Sequence, residues 1–344
     1  FNKILKHFLF SVCTLFFFGQ SVLAQIDTAK LNQYFAKLEK NDKDMTSVCI
    51  YKNGLFEYDR AIGFADVLKK QKANVYTLYR IGSISKMFTA VMILQLIEEK
   101  KLGFDTKLEK FYPTIKNSHL ITIEQLLNHH SGIANFTNQD DYKSYMERPH
   151  TKQEMLDIFN KLGSDFAPNS EYQYSNTNYV LLTFILEDIT KHTYAEEWLK
   201  RVCAKAILGD THVGGKINTA NNEAQSYSYE NDAWTAETET DLSVPQGAGN
   251  IVSTAKDLCL FMEALFHGKL ISMPMLEKMK TLKDGYGYGM LRFPFGKKWF
   301  YGHTGGIDGF QSMLGYNEED KVAFCSLGNG YNYPMNSVAI AMLS

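Results

Sequence analysis

The sequence has no excess of basic residues: 36 Lys and Arg stand against 38 Asp and Glu, for a net charge of -2. Nucleic-acid binding needs an electropositive face, so no nucleic-acid partner is expected. No run of like charge, internal repeat or low-complexity tract is present, which argues against disordered tails and solenoids. Nowhere do about 20 apolar residues follow one another, the length that a membrane-spanning helix needs. Cysteine is scarce, at 5 of 344 residues. What remains is a chain with 45% hydrophobic residues, enough to bury a large core.

The N-terminal residues have the pattern of a secretory leader. Lys3 and Lys6 precede an apolar stretch, Phe8 to Phe18, and Val22-Leu23-Ala24 offers small residues at a cleavage site. We read 1–24 as a signal peptide cleaved before Gln25, and the protein as exported, periplasmic or secreted, with no stable membrane span afterwards. Four cysteines then remain, Cys49, Cys203, Cys259 and Cys325. Each sits in an apolar run, where a free thiol acts as a small core hydrophobe.

Strand patterns lie at both ends and helical ones between. Ser47 to Tyr51 and Leu55 to Tyr58 flank the turn Lys52-Asn53-Gly54. Trp299 to His303, Gln311 to Tyr316 and Val322 to Leu327 are three further strands, and Met335 to Leu343 a last helix. A helix opening at Ser83 is apolar nearly all round and therefore buried, with Gly103 as its stop. Thr122 and Gln125 form a capping-box pattern for a short helix that Gly132 closes, and Ser253 is the expected N-cap of a helix running to Phe266. These patterns predict an α+β fold in which both chain ends build one antiparallel sheet flanked by helices. The expected division is a sheet lobe over about 28–82 and 245–344 and an inserted, mainly helical lobe over about 83–244, with the site in the cleft between them.

Three motifs carry chemistry. Ser83-Ile84-Ser85-Lys86 sets a hydroxyl and an ammonium one turn apart on one helix face. A buried lysine there loses its proton readily and becomes a base, while free N–H groups at the helix start face a developing oxyanion. Tyr174-Ser175-Asn176 precedes an apolar helix; a phenol beside an ammonium has a lowered pKa and shuttles protons, and Asn176 offers a donor and an acceptor to an amide. His303-Thr304-Gly305-Gly306 ends a strand, where glycine lets substrate approach the backbone and the Gly306 N–H joins that of Ser83.

Each motif has a decoy. Ser253 and Lys256 repeat the first spacing, Tyr51-Asn53 and Tyr229-Asn231 the second, and His130-Ser131-Gly132 imitates the third. Capping, hairpin turns and a helix stop account for them, apart from Tyr229-Asn231, which lies in a polar stretch with no helix after it.

With the three motifs in this order, the chain resembles the penicillin-recognising, serine β-lactamase-like family. The match is to its class C β-lactamase, DD-peptidase and esterase branch, where Tyr-x-Asn replaces Ser-Asp-Asn. Ile121 to Ile133 (ITIEQLLNHHSGI) and Pro245 to Leu258 are similar to further stretches of that family, so the resemblance covers nearly the whole chain. It implies an acyl-enzyme on Ser83, acid and base work shared by Lys86 and Tyr174, substrate amide held by Asn176, a wall shaped by His303 and Thr304, and an oxyanion hole from Ser83 and Gly306. It makes His129 a scaffold residue and implies no metal or organic cofactor. It also places Cys49 and Cys325 on neighbouring strands. An α/β-hydrolase reading fails, because no Gly-x-Ser-x-Gly occurs.

One departure bears on substrate. Class C β-lactamases mostly carry Lys-Thr-Gly where this chain has His303, and a histidine is mostly uncharged at neutral pH. Arg292 is the candidate for the missing cation, against the plainer reading of a solvated arginine. The expected partner is a small-molecule or peptide acyl substrate, namely a cell-wall peptide, an ester or a β-lactam. The leading reading is a DD-peptidase-like hydrolase, the second a carboxylesterase or weak β-lactamase. The third is a catalytically silent sensor or binding protein, which the intact motif set counts against.

Overall fold

The computed structural model describes residues 26–344; the leader and Cys13 lie outside them. In chain order the elements that build the site are α1 (Thr28–Lys40), β1 (Asp44–Lys52), β2 (Leu55–Ile62), α2 (Ser85–Glu98), α3 (Ile123–Leu127), α4 (Asn176–Thr190), α5 (Ala255–Phe266), β3 (Leu291–Phe295), β4 (Lys298–Ile307), β5 (Phe310–Asn317), β6 (Val322–Tyr331) and α6 (Met335–Leu343). Six strands form one antiparallel sheet in the order β3-β4-β5-β6-β1-β2, so strands from the two ends of the chain meet at its centre.

Side chains alternate across this sheet as the period of two requires. Val48 and Ile50 of β1 pack with Leu31, Phe35 and Leu38 of α1 and with Val338 and Met342 of α6. Cys49 and Tyr51 point the other way, into the larger core shared with α5, α2 and α4. Cys49 and Cys325 are register partners on β1 and β6, as the resemblance implied, and both thiols are free. The β1–β2 turn has Asn53 at φ 49° and Gly54 at φ 86°, the paired positive values of a two-residue hairpin. Asn231 and Asp232 repeat that geometry between two short strands, so the Tyr229-Asn231 decoy also lies at a hairpin.

Several element boundaries differ from expectation. Helix α2 begins at Ser85, after a 3₁₀ turn over Gly82–Ile84, and ends at Glu98 with Lys100 left-handed rather than at Gly103. The Thr122 capping box is present, but α3 stops at Leu127, and His129 (φ 62°) takes the left-handed position assigned to Gly132. Gly132 is required for another reason: a Cβ there would lie 2.1 Å from the Phe166 carbonyl oxygen. The N-cap of α5 is Thr254, whose hydroxyl accepts from Asp257 N, while Ser253 belongs to a short strand. Strand β3 escaped the reading because Pro294 breaks its pattern, which an edge strand tolerates.

Candidate active site

Ser83 sits on the 3₁₀ turn that leads into α2. Gly82 has φ +50°, and a Cβ on it would lie 2.7 Å from Gly306 N. A Cβ on Gly305 would lie 2.1 Å from the Ile81 carbonyl, to which the Ser312 hydroxyl donates at 2.8 Å. Glycine at both positions therefore lets β4 press directly against the turn. This contact brings Gly306 beside Gly82, the residue before Ser83, and both Ser83 and Gly306 border the same depressions.

Lys86, one turn further on, is fully buried. Its Nζ lies 3.0 Å from Ser83 Oγ and donates to the Ala248 carbonyl at 2.8 Å. Burial without a facing carboxylate holds its pKa well below the usual lysine range. A neutral amine here has a lone pair for the Ser83 proton. Aromatic faces complete its surroundings, with Nζ 4.9 Å from the ring centre of Tyr174 and 5.7 Å from that of Tyr179.

Tyr174 behaves contrary to expectation. Its ring is half-buried, its hydroxyl is shut off from solvent, and that hydroxyl has no hydrogen-bond partner among the described residues. Desolvation pushes the phenol above its ordinary pKa, with nearby Ser83 only partly opposing the shift. A lowered phenol pKa required a charged lysine beside it, and burial disfavours that charge. Burial thus favours the uncharged form of both groups.

Asn176 is the first residue of α4. Its backbone N–H donates to Asn135 Oδ1 (3.0 Å) and its Nδ2 to Thr137 Oγ1 (2.9 Å), which fix the side chain at the rim of the cleft. His303 is 2% exposed. Its Nδ1 faces the Thr304 carbonyl and must donate to it, so Nε2 accepts from the Tyr286 hydroxyl at 2.9 Å. Burial first and Lys86 second bring its pKa down to about 3, so the ring is neutral. Thr304, Gly305 and Gly306 line the same wall.

Ser83 lies between two depressions. One, of about 610 Å³, is bordered by Thr137, Tyr142, Lys143, Asn176, Glu237 and Asp308. The other, of about 370 Å³, is bordered by Tyr172, Tyr174, Tyr286, Leu291, His303 and Thr304. Arg292 touches neither. It lies exposed on β3, its guanidinium 4.3 Å from the ring centre of Trp299, and borders a separate hollow with Lys280 and Tyr301. The site therefore gains no cation from it, and the solvated-arginine reading is the one the geometry favours.

Sequence reasoning missed the aromatic shell. His129 was read as scaffold without a place being given for it; its ring centre lies 4.4 Å from that of Tyr174, and its Nδ1 accepts from the Ser175 N–H at 3.2 Å. It braces the loop carrying Tyr174 from behind. Burial holds it neutral, with Lys86 and His303 adding to the effect. Tyr179 and Tyr286 carried no spacing signal. Among the described residues no group of three or more His, Cys, Asp or Glu is disposed to hold a metal ion.

The family model described as Beta-lactamase matches residues 32–343. The chain belongs to this family. It is 27% identical over 254 residues to the teichoic acid D-alanine hydrolase of Staphylococcus aureus (strain NCTC 8325 / PS 47), an alignment covering 72% of this chain but only 62% of that relative. The D-amino acid amidase of Ochrobactrum anthropi SV3, complexed with L-phenylalanine amide, superposes with a TM-score of 0.81 at 25% identity, over 92% of this chain and 97% of that one. The octameric penicillin-binding protein homologue of Pyrococcus abyssi shares the fold, with a TM-score of 0.80 at 24% identity, over 92% of this chain and 77% of that one. The protein has the β-lactamase fold, and it spans less than two thirds of the length of the curated relative it matches. No helix among the described residues is long and apolar enough to cross a membrane.

Proposed function

We propose that this protein is a serine hydrolase acting through an acyl-enzyme on Ser83, with D-amino-acid peptides, amides or esters of the cell-wall type as acyl donors, and that it works after export. The observation that carries the reading is the fully buried Lys86 amine 3.0 Å from Ser83 Oγ. Ser83 Oγ attacks the substrate carbonyl carbon as its proton passes to Lys86 Nζ. The carbonyl oxygen becomes an oxyanion at the N–H groups of Ser83 and Gly306. Tyr174 gives its proton to the leaving nitrogen or oxygen as the bond to it breaks, and recovers one from Lys86. Water then attacks the ester by the reverse route, and Ser83 is regenerated. Asn176 orients the acyl chain, and His129 positions Tyr174.

The D-amino-acid preference is supported by the similarity to a D-alanine hydrolase and a D-amino acid amidase. DD-peptidase action is the form in which the leaving group is a second D-amino acid. Carboxylester or weak β-lactam hydrolysis would use the same steps. The test is intact mass after brief exposure to benzylpenicillin, together with turnover of D-alanyl esters and amides, for wild type and Ser83→Ala. An adduct and turnover in the wild type alone are expected. Unchanged turnover in Ser83→Ala, with a loss far short of the roughly 10⁴-fold or more that removing a nucleophile costs, would overturn the mechanism.

A further inference from the structure

The wall formed by His303 has a definite charge and hydrogen-bonding character. Both ring nitrogens are committed inside the protein, Nδ1–H to the Thr304 carbonyl and Nε2 to the Tyr286 hydroxyl. Tyr286 is itself 1% exposed and spends its one proton on this bond. The ring therefore presents no N–H to the adjacent depression and bears no charge. The remaining lining there is Tyr172, Tyr174, Leu291, Thr304 and glycine, with no cation among them. Arg292 is stacked on Trp299 at a separate hollow.

The opposite cleft does not compensate. Its free cation is Lys143, exposed, set against the carboxylates of Glu147 and Glu237, which have no ion-pair partner among the described residues. Asp308 at its edge is tied to Arg80 and Thr240. A substrate carboxylate entering beside Ser83 would meet two carboxylates against one exposed lysine in one cleft and no cation in the other, and should bind roughly tenfold or more weaker than its neutral counterpart.

We propose that Tyr286, by holding His303 neutral and donor-poor, makes the site select acyl donors whose leaving group lacks a free carboxylate. Tyr286 is thus a positioning residue for specificity. Resting on the function proposed above, this inference narrows the substrate from terminal DD-peptides to amides, esters or internal peptide bonds.

The test is a matched pair, acetyl-D-alanyl-D-alanine and acetyl-D-alanyl-D-alaninamide, which differ only in carboxylate against carboxamide. Binding is measured on Ser83→Ala protein and kcat/KM on the wild type. The carboxamide should be favoured roughly tenfold or more in both. Tyr286→Phe, which removes only the hydroxyl and frees His303 Nε2, should bring that ratio toward one, and His303→Lys should invert it. Equal or undetectable binding of the two peptides, or preference for the carboxylate, overturns the inference. Failure to cleave D-alanyl esters, amides and both peptides, with the binding ratio intact, overturns the hydrolytic reading alone.

Discussion

At the scale of single residues, the pKa directions suit the division of labour in the proposed mechanism. Lys86 loses its proton below the usual lysine range and Tyr174 keeps its own above the usual tyrosine range, so between those limits the base is free and the acid is loaded. Activity should rise with pH along a limb set by Lys86 and show no fall from Tyr174 until beyond ordinary phenol titration. His303, at about 3, should leave no inflection above pH 5. A pH–kcat/KM profile checks all three expectations. Asp44 supplies a stability counterpart. It is 1% exposed, neither carboxylate oxygen has a hydrogen-bond partner among the described residues, and burial holds its carboxyl well above the usual range, the Met45 N–H only partly opposing. Above about pH 4 the unfolded chain releases this proton while the folded protein keeps it, so stability falls as pH rises toward the folded value. Asp44→Asn should therefore stabilise the protein at pH 7 by about 1–3 kcal/mol, read by urea unfolding, and should not do so at pH 3. Spacing and local pattern picked out Ser83, Lys86, Tyr174, Asn176 and His303 as candidates, and the fold brings them together. Tyr286 was not picked out, since it lies in the turn before β3, 17 residues from its partner His303 on β4, and no sequence motif records that meeting.

Among the elements, the decisive contact is β4 against the Ser83 turn. Gly305→Ala should push the strand away from Ile81 and lower kcat about 10²-fold, as a displacement near 1 Å does, with a smaller effect on KM. Steady-state kinetics with an ester substrate reads this. The elements themselves were largely readable. Met335–Leu343 was expected as a helix and is one, and the burial of α2 followed from its apolar run. Their ends were less so. Ser253 and Thr254 are both good caps, and only the strand that captures Ser253 decides between them. Gly132 looked like a helix stop, whereas the requirement for glycine comes from Phe166, distant in sequence.

Across the whole molecule, Arg80 is the buried charge that ties distant segments together. Its guanidinium is 2% exposed and meets Asp308 just after β4 (3.2 Å) and the Thr240 carbonyl (2.7 Å), with Glu239 at 2.5 Å. Arg80→Met leaves Asp308 buried without its cation and should cost about 3–5 kcal/mol in unfolding experiments. The sheet has a further consequence. Its centre joins β1 to β6, and the Ser83 turn leans on β4, so residues made early find their partners only when the last strands exist. During synthesis the Ser83 turn is therefore made well before the strand it leans on, and in the proposed mechanism a chain that lacks β4 lacks the Gly306 donor. Under that mechanism activity should appear only once the last strands are in place, and a chain truncated before β4 should not be acylated.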